Sequence, residues 1–243
     1  MPFPLAHPAA VLPLGRYCPR YLSFPALLVG SMAPDLAYLL PFGKADEWAH
    51  GAWGLVGFAL PIGLLGLGFL YWADAVTRHR WPARSIRSAV PALSPIGSPM
   101  AIVASVLIGA LTHLLWDSLT HRNGWIVEQS SFLQRIVAQV GHGSVRVCHL
   151  LWYFFSFVGM AWVWVAGEKW MFSANTITER APPWMWLDGL IFASLLLPIE
   201  ILHHNVQSRW GLALAGVLTV GLIVGAAARI GCVARGRNIA TLP

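Results

Sequence analysis

The stretch Gly109-Ala-Leu-Thr-His-Leu-Leu-Trp-Asp-Ser-Leu-Thr-His-Arg-Asn-Gly124 decides how the rest of the chain is interpreted. It ends an apolar segment that begins near Met100, as a membrane helix does where it reaches the interface. His113 and Asp117 are four residues apart, so they share one helix face about 6 Å apart along the axis. This spacing predicts two ligands of one metal ion. A hydrogen-bonded polar pair is the alternative, but ionisable groups in apolar helices are costly and usually functional.

Two further residues in the same stretch are candidates for the chemistry. His121 lies about 12 Å along the axis from His113, so we expect it to serve a second ion or the substrate rather than the same ion. Arg122 follows directly, and a guanidinium fork matches the oxygens of a phosphate. Asp117, His121 and Arg122 are therefore the predicted catalytic residues.

Composition indicates an integral membrane protein. The 243 residues are 57% hydrophobic and 11% charged, and 13 of them are Trp. The mean hydropathy is +0.62. The net charge of +6 would suggest nucleic acid as the partner of a soluble protein. Here the arginines cluster in loops between apolar segments, which favours membrane topology and lipid head groups instead.

The apolar segments predict an all-α, polytopic bundle of about five transmembrane helices. Each predicted span is long enough for the hydrocarbon core, and they lie at Gly51–Ala73, 100–119, 150–170, 185–202 and 211–230. We expect one membrane domain, 1–243. Its parts are an N-terminal ligand-bearing segment (1–49), the helices of the metal site (50–125) and supporting helices (150–230).

The N-terminal segment carries two more candidate ligands. Pro8 is expected to hold His7 in an extended conformation at the start of a short helix. Pro34 breaks any helix that arrives from Phe24, and Asp35 either caps the next helix or is a desolvated carboxylate that needs a cation. We interpret residues 24–41 as two half-helices or a re-entrant segment, and a full span remains an alternative.

His50 begins the first convincing span, whereas His113 and Asp117 lie near the end of the next one. Consecutive helices run antiparallel, so these three residues are expected on the same side of the membrane. Asp46 and Glu47 either orient the ring of His50 or are ordinary loop charges.

The distribution of arginines predicts the orientation of the protein in the membrane. The loop Asp74–Pro99 holds Arg78, Arg80, Arg84 and Arg87, so the positive-inside rule places it in the cytoplasm. The candidate site then faces the extracytoplasmic side, although Arg122, Arg135 and Arg146 on that side reduce the charge difference.

Other polar residues have weaker patterns. Glu200 and His203 share a helix face and are either further ligands or interface anchors. We interpret His79, His142 and His149 as solvent-facing or structural. A disulfide between Cys18 and Cys148 is conceivable only if both face the same side.

The motifs His7-Pro-Ala-Ala-Val-Leu-Pro13, Gly30-Ser-Met-Ala-Pro-Asp35, His50 and His113-Leu-Leu-Trp-Asp-Ser-Leu-Thr-His-Arg-Asn-Gly-Trp125 resemble an uncharacterised bacterial membrane family, domain of unknown function 4184. That family is similar to predicted membrane-bound metal-dependent hydrolases and remotely to the zinc-dependent phospholipase C superfamily. The resemblance implies one ion held by Asp35, His50, His113 and Asp117, with Asp117 bridging to a second ion held by His7. The superfamily's His…His-x-x-x-Glu set for a third ion is not found, so one or two ions are expected.

His and carboxylate ligands suit zinc, with manganese or iron as alternatives. Zinc would activate water and polarise a phosphoryl or acyl oxygen. We therefore expect a metal-dependent hydrolase of a phospholipid or another lipid-linked phosphoester at the extracytoplasmic face. One alternative is an ion-coupled transporter that uses Asp35, His113 and Asp117 as a relay. A non-catalytic membrane protein with a structural metal is another.

Overall fold

The computed structural model describes residues 4–39, 45–80, 93, 95–140 and 143–173. Predictions that fall on other residues lie outside this description. They include the spans 185–202 and 211–230, with Glu200 and His203, and the residues Arg84, Arg87 and His142.

Helices dominate the described residues. The N-terminal part contains a 3-10 helix (Pro4–Ala6), α1 (Pro8–Val11), a 3-10 helix (Leu12–Tyr17), α2 (Phe24–Met32) and a 3-10 helix (Pro34–Leu39). The next part contains α3 (Ala45–Ala49), α4 (Ala52–Gly54), one π-helical turn (Leu55–Ala59), α5 (Leu60–Arg80) and α6 (Pro99–Thr120). The chain continues with α7 (Trp125–Gln129), α8 (Ser131–Gln134), β1 (Ile136–Val140), β2 (Gly143–Arg146) and α9 (Val147–Ser173).

Three helical stretches among the described residues are long and apolar enough to cross a membrane. They are Ala52–Val76, Pro99–Gln129 and Val147–Trp170, in agreement with the first three predicted spans. The chain is therefore a mostly helical membrane protein.

The predicted break at Pro34 is present. Helix α2 ends at Met32, and a separate 3-10 helix begins at Pro34. The expectation for His7 was wrong, because its backbone is helical (φ −57°, ψ −36°) rather than extended. The preceding 3-10 helix runs directly into α1, and the Ala10 N–H donates to the carbonyl of His7 at 3.0 Å. This local helical bonding outweighs the usual preference of a residue before proline.

A small β-hairpin corrects the all-α prediction. Strands β1 and β2 pair antiparallel, with Val140 opposite Gly143 and an irregularity between Ile136 and Ala138. The sequence Ile136-Val-Ala-Gln-Val140 is rich in β-branched residues, which favour strands. It lies between the second and third predicted spans, 100–119 and 150–170.

Close packing of α2 against α6 forms the centre of the bundle. A Cβ built on Gly30 would lie 2.4 Å from the Val106 carbonyl oxygen, and one on Gly109 would lie 2.4 Å from the Leu27 carbonyl oxygen. Ser23, just before α2, contacts Ser105, and Ser31 near the end of α2 contacts His113, so the two helices run in the same direction. Small residues allow membrane helices to approach at backbone distance, and van der Waals contact then stabilises the pair.

The turn at 16–21 lies at the opposite end of this helix pair from His113. Ser23, two residues after this turn, donates its backbone N–H to the Ser105 hydroxyl at 2.8 Å, near the start of α6. Arg16 and Arg20 each place the guanidinium 4.9 Å from the ring centroid of the tyrosine that follows. Two exposed arginines therefore mark this end of the bundle.

Gly109→Ala should destabilise the protein by about 1–3 kcal/mol, because the added methyl group meets backbone atoms that cannot move aside. The free energy of unfolding is measured in detergent by chemical denaturation followed by circular dichroism.

The matched control is Gly68→Ala in α5, where an added Cβ has no atom within 4 Å. This change should be neutral or stabilise by up to about 1 kcal/mol. Equal effects of the two substitutions would contradict the packing argument.

Candidate metal centre

Four side chains from three parts of the chain converge near the end of α6. Asp35 lies on the 3-10 helix after Pro34, His50 directly follows α3, and His113 and Asp117 lie on α6. One ligand atom from each lies within 4.8 Å of all the others. The pairs predicted from spacing and topology are therefore adjacent in space.

Hydrogen bonds determine which ring nitrogen of each histidine faces the cluster. His113 Nδ1 lies 2.8 Å from the carbonyl oxygen of Ser31, and His50 Nδ1 lies 2.8 Å from the carbonyl oxygen of Asp46. Because a carbonyl oxygen only accepts, each Nδ1 carries the proton and donates. In the neutral rings, both Nε2 atoms then present lone pairs, and they lie 3.3 Å apart.

Five of the six donor–donor distances, those that involve a histidine, are close to the spacing in a tetrahedral zinc site. His50 Nε2 lies 3.5 Å from Asp35 Oδ1 and 3.6 Å from Asp117 Oδ2. His113 Nε2 lies 3.4 Å from Asp35 Oδ1 and 3.2 Å from Asp117 Oδ2. Donors that surround zinc at 2.0–2.1 Å with tetrahedral angles are about 3.3–3.4 Å apart. Two lone pairs and two carboxylates require a cation between them, and this spacing favours a metal ion over a proton.

His7 faces the other oxygen of each carboxylate. Its Nε2 lies 3.8 Å from Asp35 Oδ2 and 3.7 Å from Asp117 Oδ1. Its ring stacks on His113 with centroids 3.8 Å apart. Complete burial lowers the pKa of His7 to about 3, so the ring is neutral and retains a lone pair at physiological pH. Asp35 and Asp117 thus both lie between a position beside His50 and His113 and a second position beside His7.

The cluster also contains buried polar atoms that protein groups leave unsatisfied. Among the described residues, both carboxylate oxygens of Asp35, Oδ1 of Asp117 and both ring nitrogens of His7 are buried without a hydrogen-bond partner. Such atoms are costly inside a protein unless a partner is present. A metal ion supplies that partner, so the residues present fit the predicted ion.

His121 contacts the edge of this cluster. Its Nδ1 lies 3.1 Å from the backbone oxygen of Asp117, to which it donates, and 3.5 Å from Asp117 Oδ1. Its Nε2 is therefore the nitrogen with the lone pair in the neutral ring. Arg122 is exposed, one residue farther along the chain.

The cluster is accessible from one side. The side chains of His50 and His121 are 20% and 24% exposed, whereas those of His7, His113 and Asp35 are almost fully buried. A ligand would therefore approach past His50, Asp117 and His121.

Two residues around the cluster, Ser31 and Tyr38, were not predicted from the sequence. The Ser31 carbonyl orients His113, and it is free to do so because it lies in the last turn of α2. For His50, the backbone oxygen of Asp46 rather than its carboxylate is the acceptor. Tyr38 lies three residues after Asp35, where side chains of a 3-10 helix eclipse, and its ring centroid is 5.7 Å from that of His50. That spacing after Pro34 was the available signal for Tyr38.

Cys18 and Cys148 are free thiols, so they do not form the disulfide that was considered.

The family model described as Domain of unknown function (DUF4184) matches residues 1–234, and the chain therefore belongs to that family. The four clustered residues and His7 all lie within the matched range. No curated protein and no solved structure matches the chain.

Zinc should stabilise the wild-type protein and leave Asp35→Asn almost unchanged, because the amide removes a charged ligand. At a free zinc concentration of a thousand times Kd, the free energy of unfolding should rise by about 4 kcal/mol. Thermal melting with and without zinc, together with elemental mass spectrometry, measures stability and metal content.

Asp46→Asn is the matched control, since the backbone carbonyl that holds His50 is retained. It should keep the metal and the stabilisation. Loss of zinc in both variants would mean that zinc binding requires the carboxylate of Asp46, which the geometry does not indicate.

Proposed function

We propose that this member of the family is a membrane-bound metal-dependent hydrolase. Its substrate would be a phospholipid or another lipid-linked phosphoester at the extracytoplasmic face of a bacterial inner membrane. The observation that carries the proposal is the cluster of two imidazole nitrogens and two carboxylate oxygens at one end of the bundle, 3.2–3.6 Å apart in the pairs that involve a histidine. The resemblance to membrane-bound hydrolases and to the zinc-dependent phospholipase C superfamily supports the same reading.

Asp35, His50, His113 and Asp117 would hold zinc, with manganese or iron as alternatives. Asp35 Oδ2, Asp117 Oδ1 and His7 Nε2 would hold a second ion with three protein donors, which is typical of catalytic zinc sites. When bound, such ions make water nucleophilic near neutral pH and withdraw charge from a phosphoryl oxygen. Because the sequence provides no ligand set for a third ion, we propose that the protein binds one or two ions.

The chain's own residues have separate roles. Asp117 offers one oxygen to each of the two proposed ion positions, so it fixes these positions relative to each other. His121 is held by its Nδ1 proton, and its Nε2 can accept the proton of the attacking water as a general base. Arg122 follows on the accessible side and would pair with the phosphate of the substrate.

The proposed orientation gains support from the N-terminal turn. Arg16 and Arg20 lie at the end of the bundle opposite to the cluster, the end at which α5 reaches Arg78 and Arg80. Four arginines at that end, against Arg122, Arg135 and Arg146 at the end with the cluster, favour the cytoplasm by a small margin. The cluster would then face outward.

Zinc-loaded protein should hydrolyse some members of a panel of short-chain phospholipids and soluble aryl phosphoesters, and Asp117→Asn should remove that activity. Arg122→Gln should raise KM about 10- to 100-fold, the value of a charged hydrogen bond to phosphate. Arg20→Gln, at the other end of the bundle, is the control and should leave kcat/KM unchanged.

Two results would favour the alternatives. A full coordination shell without a water ligand in X-ray absorption spectra, together with no turnover, would indicate a structural metal. Ion flux in sealed vesicles that disappears in Asp35→Asn would indicate a transporter.

A further inference from the structure

The segment between α6 and α9 has an apolar outer surface. Helices α7 and α8 and strand β1 (Trp125 to Val140) leave four large apolar side chains exposed, which are Trp125 (67%), Phe132 (65%), Ile136 (47%) and Val137 (46%). We call these four residues the apolar face. Exposed apolar side chains are expected on the long helices that face lipid, but these four lie outside α5, α6 and α9 and therefore indicate a separate interaction surface.

The segment is anchored on its inner side. Val127 and Leu133 are buried against Cys148, with Leu119 and Leu151 packed around them. Both helices that flank the segment, α6 and α9, therefore contribute to its support. The apolar face is thus held outward by a packed core, and its exposure follows from the fold.

The position of the segment relates the apolar face to the membrane. It leaves α6 at Thr120 and enters α9 at Val147, so both of its ends lie at the end of the bundle that carries the cluster. Helix α6, with 22 residues, is by itself about 33 Å long and already covers the hydrocarbon core. The segment consequently lies at the membrane interface on the cluster's side.

The charge of this segment favours an anionic partner. Arg122 and Arg135 are exposed on this segment, and Glu128 is the exposed carboxylate among its described residues. Apolar side chains beside arginines are typical of elements that lie in the interface plane and attract anionic lipids. Trp125 is also a residue type that prefers the head-group level.

We propose that the apolar face of residues 125–137 docks into the leaflet on the cluster's side and that its partner is anionic phospholipid, drawn by Arg135. The segment then holds head groups of that leaflet next to His121 and Asp117. This inference goes beyond the proposed hydrolase, because it names a lipid-binding surface that does not depend on the metal.

Spin labels test the docking directly in the full chain. In a background with Cys18, Cys148 and Cys232 replaced by Ala, a nitroxide is attached to Phe132→Cys or Val137→Cys in phosphatidylcholine vesicles with or without phosphatidylglycerol. Both labels should collide more with oxygen, which concentrates in lipid, than with a water-soluble nickel chelate. A label on Glu128→Cys, in the same segment, should show the reverse.

A second comparison tests how much charge contributes to the docking. Phosphatidylglycerol should increase the lipid exposure of the Phe132 label, and Arg135→Gln should weaken that increase by about fivefold, which corresponds to one arginine near an anionic surface. Arg20→Gln should leave it unchanged. A circular dichroism spectrum and a melting temperature like those of the wild type show that each variant is folded.

Two outcomes would overturn the proposal. Equal access of the nickel chelate to the labels at 132 and 128 would place the apolar face in water. Protection of the 132 label from both reagents would mean that protein covers it, either a second copy or residues 174–243.

If the cysteine-free background does not fold, quenching by brominated phosphatidylglycerol is compared between wild type and Trp125→Phe. A smaller quenched fraction in the variant supports docking, and an equal fraction contradicts it. The experiment needs no turnover, and Asp117→Asn should leave the result unchanged. Failure of the hydrolase proposal and failure of docking are therefore distinguishable.

Discussion

The backbone contact between α2 and α6 is the constraint on which the candidate metal centre depends. Gly30 and Gly109 let the helices approach until backbone atoms touch, and the two helices run in parallel. This brings the Ser31 carbonyl within 2.8 Å of His113 Nδ1. Pro34 contributes to the same result, because it ends α2 and leaves the carbonyls of its last turn without intrahelical donors. One proline and two glycines thus determine which nitrogen of His113 faces the cluster.

The same pair of local hydrogen bonds orients each of the two partly exposed histidines. His50 and His121 each follow a helix and donate both the backbone N–H and Nδ1–H to the carbonyl four residues earlier. Each ring is therefore fixed by its own helix, and its Nε2 is available for another partner. The carboxylates, by contrast, depend on the bundle. Asp35 and Asp117 come from different helices, and their buried charges are tolerable only beside a cation.

The surroundings of the cluster divide the bundle into two unlike ends. One end carries the donor atoms and a segment whose outer surface is apolar with arginines. The opposite end carries Arg16 and Arg20, each placed over a tyrosine ring. Interfacial arginines and aromatic residues at both ends are what a helical protein needs to hold a fixed depth in a bilayer. The donor atoms lie at one of these ends, and under the proposed function a head group reaches them there without moving its acyl chains into water.

The sequence alone determined the class of protein, the first three spans and the break at Pro34, and it predicted the side chains that the bundle brings together. These properties depend on hydropathy and on short spacings, such as the four residues from His113 to Asp117, which one helix converts directly into a shared face. Only the tertiary structure decided that Asp35 shares its two oxygens between His7 and the other histidines, that a backbone carbonyl of Asp46 holds His50, and that residues 136–146 form a hairpin. These features arise from contacts between distant segments. Helix crossing and backbone hydrogen bonding determine them, and neither leaves a periodic pattern in the sequence.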